Sequence, residues 1–328
     1  YAPLPEVVEA ISRAAGSMNR YPDPGATLLR QRIAERHGVE PSQVAVANGS
    51  CDFLLAAAEA LLEPGAEVVY AWPAFSMYPN MAAMTGAREI RVPLKPDQSH
   101  DLEAMLEEIT AATQIVIICN PNNPTGTYLR YDEIADFVAR VPEHVLVILD
   151  EAYIEFQTYD DPADSIELLK RFGNLVLLRT FSKTHSLAGL RVGYALGPPS
   201  FKAAVDAVRQ PFSVNALAQA AATEALKHDD VISEQIRTSI AERIRVEEAV
   251  QALGLETTDS QANFSWISLG EKGVEAEDDI VDDLAAAGIV VRKGNLLGGP
   301  GWLRVSYGTP EENDRFIAAL GDSVKRRL

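Results

Sequence analysis

Lys183 closes the run Thr180-Phe181-Ser182-Lys183, and Arg191 follows eight residues later. The lysine supplies an amine able to attach to a carbonyl. The hydroxyls of Thr180 and Ser182, three and one residues before it, and the guanidinium of Arg191 can hold an anion beside that amine. An amine next to a phosphate cradle is what a covalent pyridoxal-phosphate site needs. A lone lysine is ordinarily solvated surface, so the reading stands on what accompanies it.

The other chemistry-bearing residues also fall at the ends of apolar runs. Asp150 ends the run Val145-Leu146-Val147-Ile148-Leu149. A carboxylate facing a pyridine nitrogen keeps that nitrogen protonated and makes the ring an electron sink; taken alone, such an Asp reads as a helix N-cap. Tyr153, three residues on, either donates to the cofactor's phenolic oxygen or simply packs. Asn123, in Asn122-Asn123-Pro124-Thr125-Gly126, either donates to the same oxygen or serves the turn. Ser50 and Cys51 follow Gly49 at a helix start, whose backbone N–H groups make either an anion site or a plain capped helix. Phe75, after Trp72-Pro73, is an aromatic for stacking on a flat ring or for the core. Arg191 and Arg304 both lie in apolar stretches. A buried arginine wants an anion, and a solvent-facing position on the alternate face accounts for either one otherwise. Each plain reading holds alone; all of them together, in this order, do not.

The elements that must carry these residues alternate between short apolar runs and helical ones. Val44–Ala47, Glu67–Tyr70, Ile115–Cys119, Val145–Leu149, Leu175–Leu178 and Val192–Leu196 read as buried strands, the fifth as a parallel one. Helical periodicity covers 6–15 and 27–37, each strand is followed by a helix or a turn signal, and 201–253 reads as helical. This is an α/β pattern, a sheet with helices on both faces and ligands outside the carboxyl ends of its strands. Strands over 264–269, near 289–292 and over 303–307, with helices at 277–287 and after Pro310, make a smaller α+β unit. The expected division is a large domain over 24–230 and a small domain formed by 1–23 and 231–328.

Composition narrows the function. The 328 residues carry 29 Lys and Arg against 47 Asp and Glu, a net charge of −18. That balance disfavours nucleic acid or an anionic membrane as main partner and leaves room for a small anion held by local arginines. Cys51 and Cys119 both sit near apolar segments, so a reducing cytoplasm without disulfides is expected. No apolar run reaches the length of a membrane span. The chain opens at Tyr1 rather than a methionine, so a further N-terminal piece is expected upstream. A dehydrogenase would want Gly-x-Gly-x-x-Gly after the first strand, and neither that motif nor a nucleotide phosphate loop occurs. The five histidines are scattered, which gives a metal site little support.

The order Tyr21-Pro22-Asp23, Asn48-Gly49-Ser50, Asn120-Pro121-Asn122-Asn123-Pro124-Thr125-Gly126, Asp150-Glu151-Ala152-Tyr153, Thr180-Phe181-Ser182-Lys183 and Gly189-Leu190-Arg191 resembles the fold-type I pyridoxal-phosphate aminotransferases over nearly the whole chain. Within them it is most similar to the histidinol-phosphate aminotransferase branch, which includes aromatic and phenylalanine aminotransferases. The resemblance implies an aspartate-aminotransferase-like fold, a mixed and mostly parallel sheet with a smaller α+β domain. It implies Lys183 as the cofactor lysine and proton shuttle, and Asp150 on the ring nitrogen. It places Tyr153 and Asn123 on the phenolic oxygen, Ser50, Cys51, Thr180, Ser182 and Arg191 on the phosphate, and Phe75 over the ring. It also implies a homodimer in which Tyr21 reaches the neighbouring subunit's cofactor, and Arg304 as clamp for a substrate carboxylate.

Departures from the family pattern are Phe75, where many relatives carry tyrosine, Cys51-Asp52 in place of a commoner acidic pair, and the family's Asn-Glu-x-Pro arm, which would precede Pro3. For the substrate, the resemblance places Arg292 on a substrate phosphate with Arg304 nearby, and with the run Val208–Asn215, which also resembles that branch, it implies histidinol phosphate with 2-oxoglutarate as acceptor. Pro3-Leu4-Pro5 and Ser260–Phe264 favour an aromatic amino acid. A decarboxylase on the same fold is a third reading. An acidic chain of this size leaves no room for the DNA-binding module of a regulator built on the fold.

Overall fold

The computed structural model of the protein describes residues 2–328. Seven strands form the larger sheet: β1 (Val44–Ala47), β2 (Glu67–Trp72), β3 (Arg88–Pro93), β4 (Thr113–Cys119), β5 (Leu146–Asp150), β6 (Leu175–Thr180) and β7 (Gly193–Leu196). Their spatial order is β1-β7-β6-β5-β4-β2-β3. Neighbours from β6 to β3 run parallel, and β7 is antiparallel to both β6 and β1. The chain between β6 and β7, which holds Lys183, therefore reverses direction at one end of the sheet instead of crossing over it.

Successive residues of a strand point to opposite faces, and the two cores follow that period. Val69, Val116, Val147, Leu149, Leu175 and Leu177 belong to one core, with helices Thr27–His37, Tyr131–Arg140 and Ala216–Ala225 among those covering it. Val68, Tyr70, Ile115, Ile117, Cys119, Ile148 and Leu178 belong to the other, under helices Ser50–Leu61, Met77–Thr85 and Pro199–Val208. The near-continuous apolar strands are what a sheet covered on both faces requires.

The second sheet is antiparallel and four-stranded, in the order β10-β11-β9-β8: β8 (Glu256–Thr257), β9 (Phe264–Ser268), β10 (Arg292–Lys293) and β11 (Trp302–Ser306). Ile267, Leu303 and Val305 pack with Ile280 and Leu284 of helix Gly273–Ala286 and with Phe316 and Leu320 of helix Pro310–Arg327. The 24-residue helix Asp229–Ala252 adds Val246 and Val250 to this core.

Two expectations are corrected, and one strand is added. Residues of the N-terminal stretch pack with the large sheet: Val7 is buried in its core, and helix Pro5–Ala15 lies against helix Ala216–Ala225. Burying the apolar stripe of that short helix needs a preformed surface, and the helix layer on the larger sheet offers it. The helical stretch 201–253 is three helices, interrupted at 209–215 and 226–228. Strand β3 lies at the edge of the sheet, and the charged residues Arg88, Glu89 and Arg91 leave it without an apolar run.

Asp150 and Glu151 follow Leu149, so they face opposite sides of the sheet. Glu151 turns to the side of Leu149, where Arg179 of β6 donates from Nε to its Oε2 at 2.9 Å, both side chains being buried. Tyr131 and Ser165 donate to the same carboxylate at 3.0 and 3.1 Å. Removing one partner of a buried pair leaves an unpaired charge. Glu151→Ala is expected to lower the unfolding free energy by roughly 3–5 kcal/mol, and replacing Glu151 and Arg179 together by apolar residues to lose less. Denaturant midpoints of the three proteins measure both; a loss for Glu151→Ala no larger than that of an exposed ion pair would contradict the buried-pair account.

Candidate active site

The carboxyl ends of β4, β5 and β6 stop side by side and leave a cavity of about 200 Å³. Ten of the residues singled out in the sequence line it: Ser50, Cys51, Phe75, Asn123, Asp150, Tyr153, Thr180, Ser182, Lys183 and Arg191. Cys119, Ala152 and Ala188 complete the lining. Arg304 borders it through Asn123, whose Oδ1 accepts from Arg304 Nη1 at 2.5 Å. Two predicted residues stand apart. Tyr21 is 81% exposed and stacks on Phe212 at 4.7 Å between ring centroids. Arg292 is exposed on β10, directly opposite Arg304 across the strand pair.

One end of the cavity is built to hold an anion. Gly49, at φ 86°, introduces helix Ser50–Leu61, whose first N–H groups have no partner within the helix. The positive φ favours glycine at 49, and the missing Cβ leaves room for the guanidinium, since a Cβ there would come within 2.5 Å of Arg191 Nη2 and push it aside. Gly193, the first residue of β7, passes just as close: its Cβ would lie 2.7 Å from the Ser50 nitrogen. Thr180 Oγ1 donates to Ser182 Oγ at 2.9 Å and accepts from the Ser182 N–H at 3.1 Å. Arg191 donates to the Ala188 carbonyl at 2.9 Å and approaches Ser182 Oγ at 3.4 Å. Arg191 is exposed, contrary to the buried reading, and sits in the left-handed conformation at φ 55°. No carboxylate pairs with it among the described residues.

The other end holds the acid and the amine. Asp150 points to the face of Ile148 and is buried. Its Oδ1 accepts from the Ala152 N–H at 3.3 Å and its Oδ2 from the Tyr78 hydroxyl at 3.0 Å. Burial pushes its carboxyl up to about 6, against the pull of the Tyr78 hydrogen bond, so it is ionised at neutral pH. The N-cap alternative is not realised: Asp150 makes a local turn into the short 3₁₀ segment Ile154–Phe156. Lys183 Nζ lies 5.0 Å from the centre of the Tyr153 ring, which meets Phe264 edge-on at 5.0 Å. Phe75 is half-buried at the cavity wall.

Hydroxyls, helix-start N–H groups and an acid-free guanidinium at one end, with an amine and a buried carboxylate beyond them, fit a phosphorylated pyridine aldehyde. Sequence reasoning missed Tyr78, which touches Asp150 from a different element. The only signal was its place three residues after Phe75, on the same side of a helix start. The Asn48-Gly49-Ser50 motif does not by itself reveal the positive φ at Gly49 or its close approach to Arg191.

The substrate side is formed by the second sheet. Arg304 lies opposite Trp266 and Arg292 on neighbouring strands, facing away from that sheet's apolar core. Its guanidinium stands 5.1 Å from the Phe264 ring, and its Nε is buried without a hydrogen-bond partner among the described residues. Burial, with Arg292 nearby, pulls its pKa down, partly offset by Tyr153.

The family model of aminotransferase class I and II matches residues 1–320. The chain is 45% identical to the aromatic amino acid aminotransferase of Thermobifida fusca, over 99% of this chain and 88% of that one. It is 44% identical to the histidinol-phosphate aminotransferase of Akkermansia muciniphila, over 97% and 86%. The crystal structure of histidinol-phosphate aminotransferase from Sinorhizobium meliloti in complex with pyridoxal-5'-phosphate superimposes with a TM-score of 0.92 at 31% identity, covering 100% of this chain and 89% of that one. With an aspartate-aminotransferase-like fold and a cavity whose donors suit pyridoxal phosphate, this chain belongs to the class I and II aminotransferases and moves an amino group between an amino donor and a 2-oxo acid on that cofactor.

Proposed function

We propose that the amino donor is histidinol phosphate, with 2-oxoglutarate as acceptor, and that Lys183, Asp150 and Tyr153 carry the chemistry. The observation that carries the substrate is the arginine pair. Arg292 and Arg304 face each other across β10 and β11, and neither has a carboxylate partner among the described residues. Two adjacent guanidiniums without an acid suit a phosphate monoester, which carries a charge of about −1.5 to −2, better than one carboxylate. The similarity to the Thermobifida fusca enzyme favours a second reading, an aromatic amino acid as donor. Both substrates carry a flat ring, and the aromatic walls Phe75, Tyr153 and Phe264 suit either.

When bound, pyridoxal phosphate supplies an electron sink for the carbon that bears the amine. Ser50, Cys51, Thr180, Ser182 and Arg191 would hold its phosphate end, and Phe75 would cover the ring. Asp150 would keep a proton on the ring nitrogen, and Tyr153 Oη and Asn123 Nδ2 would donate to the phenolic oxygen. Lys183 Nζ would anchor the cofactor and move the substrate's α-proton. Arg304 takes the carboxylate of glutamate in the second half-reaction. The division of the chain that serves this chemistry is a larger cofactor domain and a smaller domain over roughly 231–328. Tyr21, exposed beside Phe212, reaches the cofactor of a second subunit.

Borohydride treatment of the loaded protein, followed by peptide mass analysis, is expected to put the cofactor's mass on Lys183 and to leave Lys183→Ala unlabelled. Label on another lysine would reassign the anchor. Asp150→Asn should retain cofactor and lose about a hundredfold or more in turnover, since an amide cannot hold the ring-nitrogen proton electrostatically. Near wild-type turnover would remove the electron-sink role.

For the substrate, the measurement is kcat/KM for histidinol phosphate, phenylalanine and tyrosine with 2-oxoglutarate. Arg292→Ala is expected to cost histidinol phosphate roughly ten- to hundredfold, the worth of one charge-assisted contact, and phenylalanine little. A wild type that prefers phenylalanine, with both substrates penalised alike, selects the aromatic reading. Shared sites are tested by mixing Tyr21→Phe with Lys183→Ala subunits. A hybrid dimer carries both lesions at one site and leaves the other intact, so hybrids should exceed the activity of either parent; no gain on mixing would leave Tyr21 out of the partner's site.

A further inference from the structure

Asp150 and Tyr78 come from different layers of the large domain. Asp150 ends β5, and the strand period turns its side chain to the face covered by helix Met77–Thr85. That helix offers Tyr78, whose ring is fully buried and whose hydroxyl donates to Asp150 Oδ2 at 3.0 Å. The ring of Tyr78 meets Phe75 edge-on, at 5.8 Å and 88°, and lies 5.7 Å from Tyr70. One side chain thus touches both the aromatic wall of the cavity and the carboxylate at its floor. With the Ala152 N–H on Oδ1 at 3.3 Å, each carboxylate oxygen has one fixed donor. Two donors from two elements set the plane of the group.

We propose that Tyr78 is a positioning residue for the transamination site: it fixes the Asp150 carboxylate in its ionised form, aimed at the ring nitrogen of the cofactor.

The remaining groups around Asp150 do not substitute for this contact. Cys119 on β4 and Cys51 on helix Ser50–Leu61 both have thiols raised by burial and by the Asp150 charge, so they stay neutral. Glu151 faces the opposite side of the sheet and works against ionisation, while Lys183 favours it through space. Burial drives the carboxyl toward its neutral form, and the Tyr78 hydroxyl is the largest opposing contribution. Burial together with Asp150 also holds the Tyr78 phenol far above its ordinary pKa, so it stays a donor throughout the working range. The inference rests on Asp150 facing the ring nitrogen and not on the identity of the amino donor.

The test is the dissociation constant of pyridoxal phosphate, followed by fluorescence across the acid and neutral range. The proteins are wild type, Tyr78→Phe, Asp150→Asn and the double variant. Tyr78→Phe keeps the buried ring and removes only the hydroxyl. It is expected to move the acid-side midpoint of binding upward by about one unit, because protonated Asp150 no longer pairs with the ring nitrogen, and so to weaken cofactor binding about twofold at neutral pH and about tenfold well below the wild-type midpoint. In the Asp150→Asn background the same substitution should do little, since no carboxylate remains to be held. Replacing Tyr78 by a ring-fluorinated tyrosine preserves packing and strengthens the donor, so the midpoint should move down. An unchanged midpoint in both Tyr78 proteins, or losses that simply add in the double variant, would overturn the role of Tyr78. Asp150→Asn binding and turning over like wild type would instead overturn the premise about Asp150 itself.

Discussion

Two carboxylates at consecutive positions, buried at the end of one strand, are the constraint around which this site is arranged. Neighbouring residues of a strand face opposite ways, so Asp150 and Glu151 cannot share an environment. Each needs its own counterweight, because a lone buried charge costs several kcal/mol in order of magnitude. Glu151 finds Arg179, one strand away and on the same face, with Tyr131 and Ser165 completing its hydrogen bonds. Asp150 has no such cation fixed beside it and is left with two hydrogen-bond donors. The asymmetry has a chemical meaning. A fully paired carboxylate is structural, whereas one that is aimed but unpaired is available to a cation that arrives with a ligand.

The ion pair also sets where the neighbouring residues fall. Arg179 lies in β6 next to Thr180, so tying Glu151 to Arg179 fixes the end of β5 against the end of β6. The Glu151 N–H donates to the Leu178 carbonyl at 2.9 Å and continues the same junction. From there the chain needs three residues to reach Lys183 and then returns antiparallel through β7. That return brings Gly193 under the start of helix Ser50–Leu61. The acid, the amine and the anion cradle are thus three consequences of one strand junction. The second sheet is joined to it by Arg243, which is buried and donates to the carbonyls of Phe156 and Ala262 at 3.0 and 3.3 Å. Tyr153, Phe156, Ala262 and Phe264 pack together at the same seam.

Much of this was legible in the sequence because strand ends are legible. Apolar runs mark doubly covered strands, and the first polar residues after them lie at the rim where α/β sheets bind ligands. Asp150, Asn123, Thr180 and Ser182 were found that way, and the cavity collects them. What stayed hidden depends on contacts between elements. Tyr78 reads as a core tyrosine until the face of Asp150 is known. The short Gly49–Arg191 approach is a tertiary clearance that no local pattern encodes. The first helix packs with the larger sheet, which the sequence does not reveal because amphipathicity says that a stripe is buried and not against what. Arg292 and Arg304 both fall in expected strands, yet one is exposed and the other half-buried, although they are cross-strand partners. Arg304 is covered by Asn123, beyond the end of β4, and by the Phe264 ring beside its guanidinium.

The net charge of −18 runs against a site for anions, and screening resolves the conflict. Exposed acids more than a Debye length away, about 8 Å at physiological ionic strength, are largely screened, while partly buried groups are screened much less. A ligand in the cavity therefore responds to Lys183, Arg191 and Arg304 more than to the distant surface. What keeps those cations available is the kind of partner they rest on. Arg191 donates to a carbonyl and a hydroxyl, and Arg304 to an amide oxygen. A carboxylate in any of those places would form a charge-assisted pair that an incoming anion would have to break. Neutral acceptors orient the guanidiniums without neutralising them. The same arrangement suits a site that must release one anionic product and take up another in each cycle, because the amide of Asn123 can hold Arg304 in place between them.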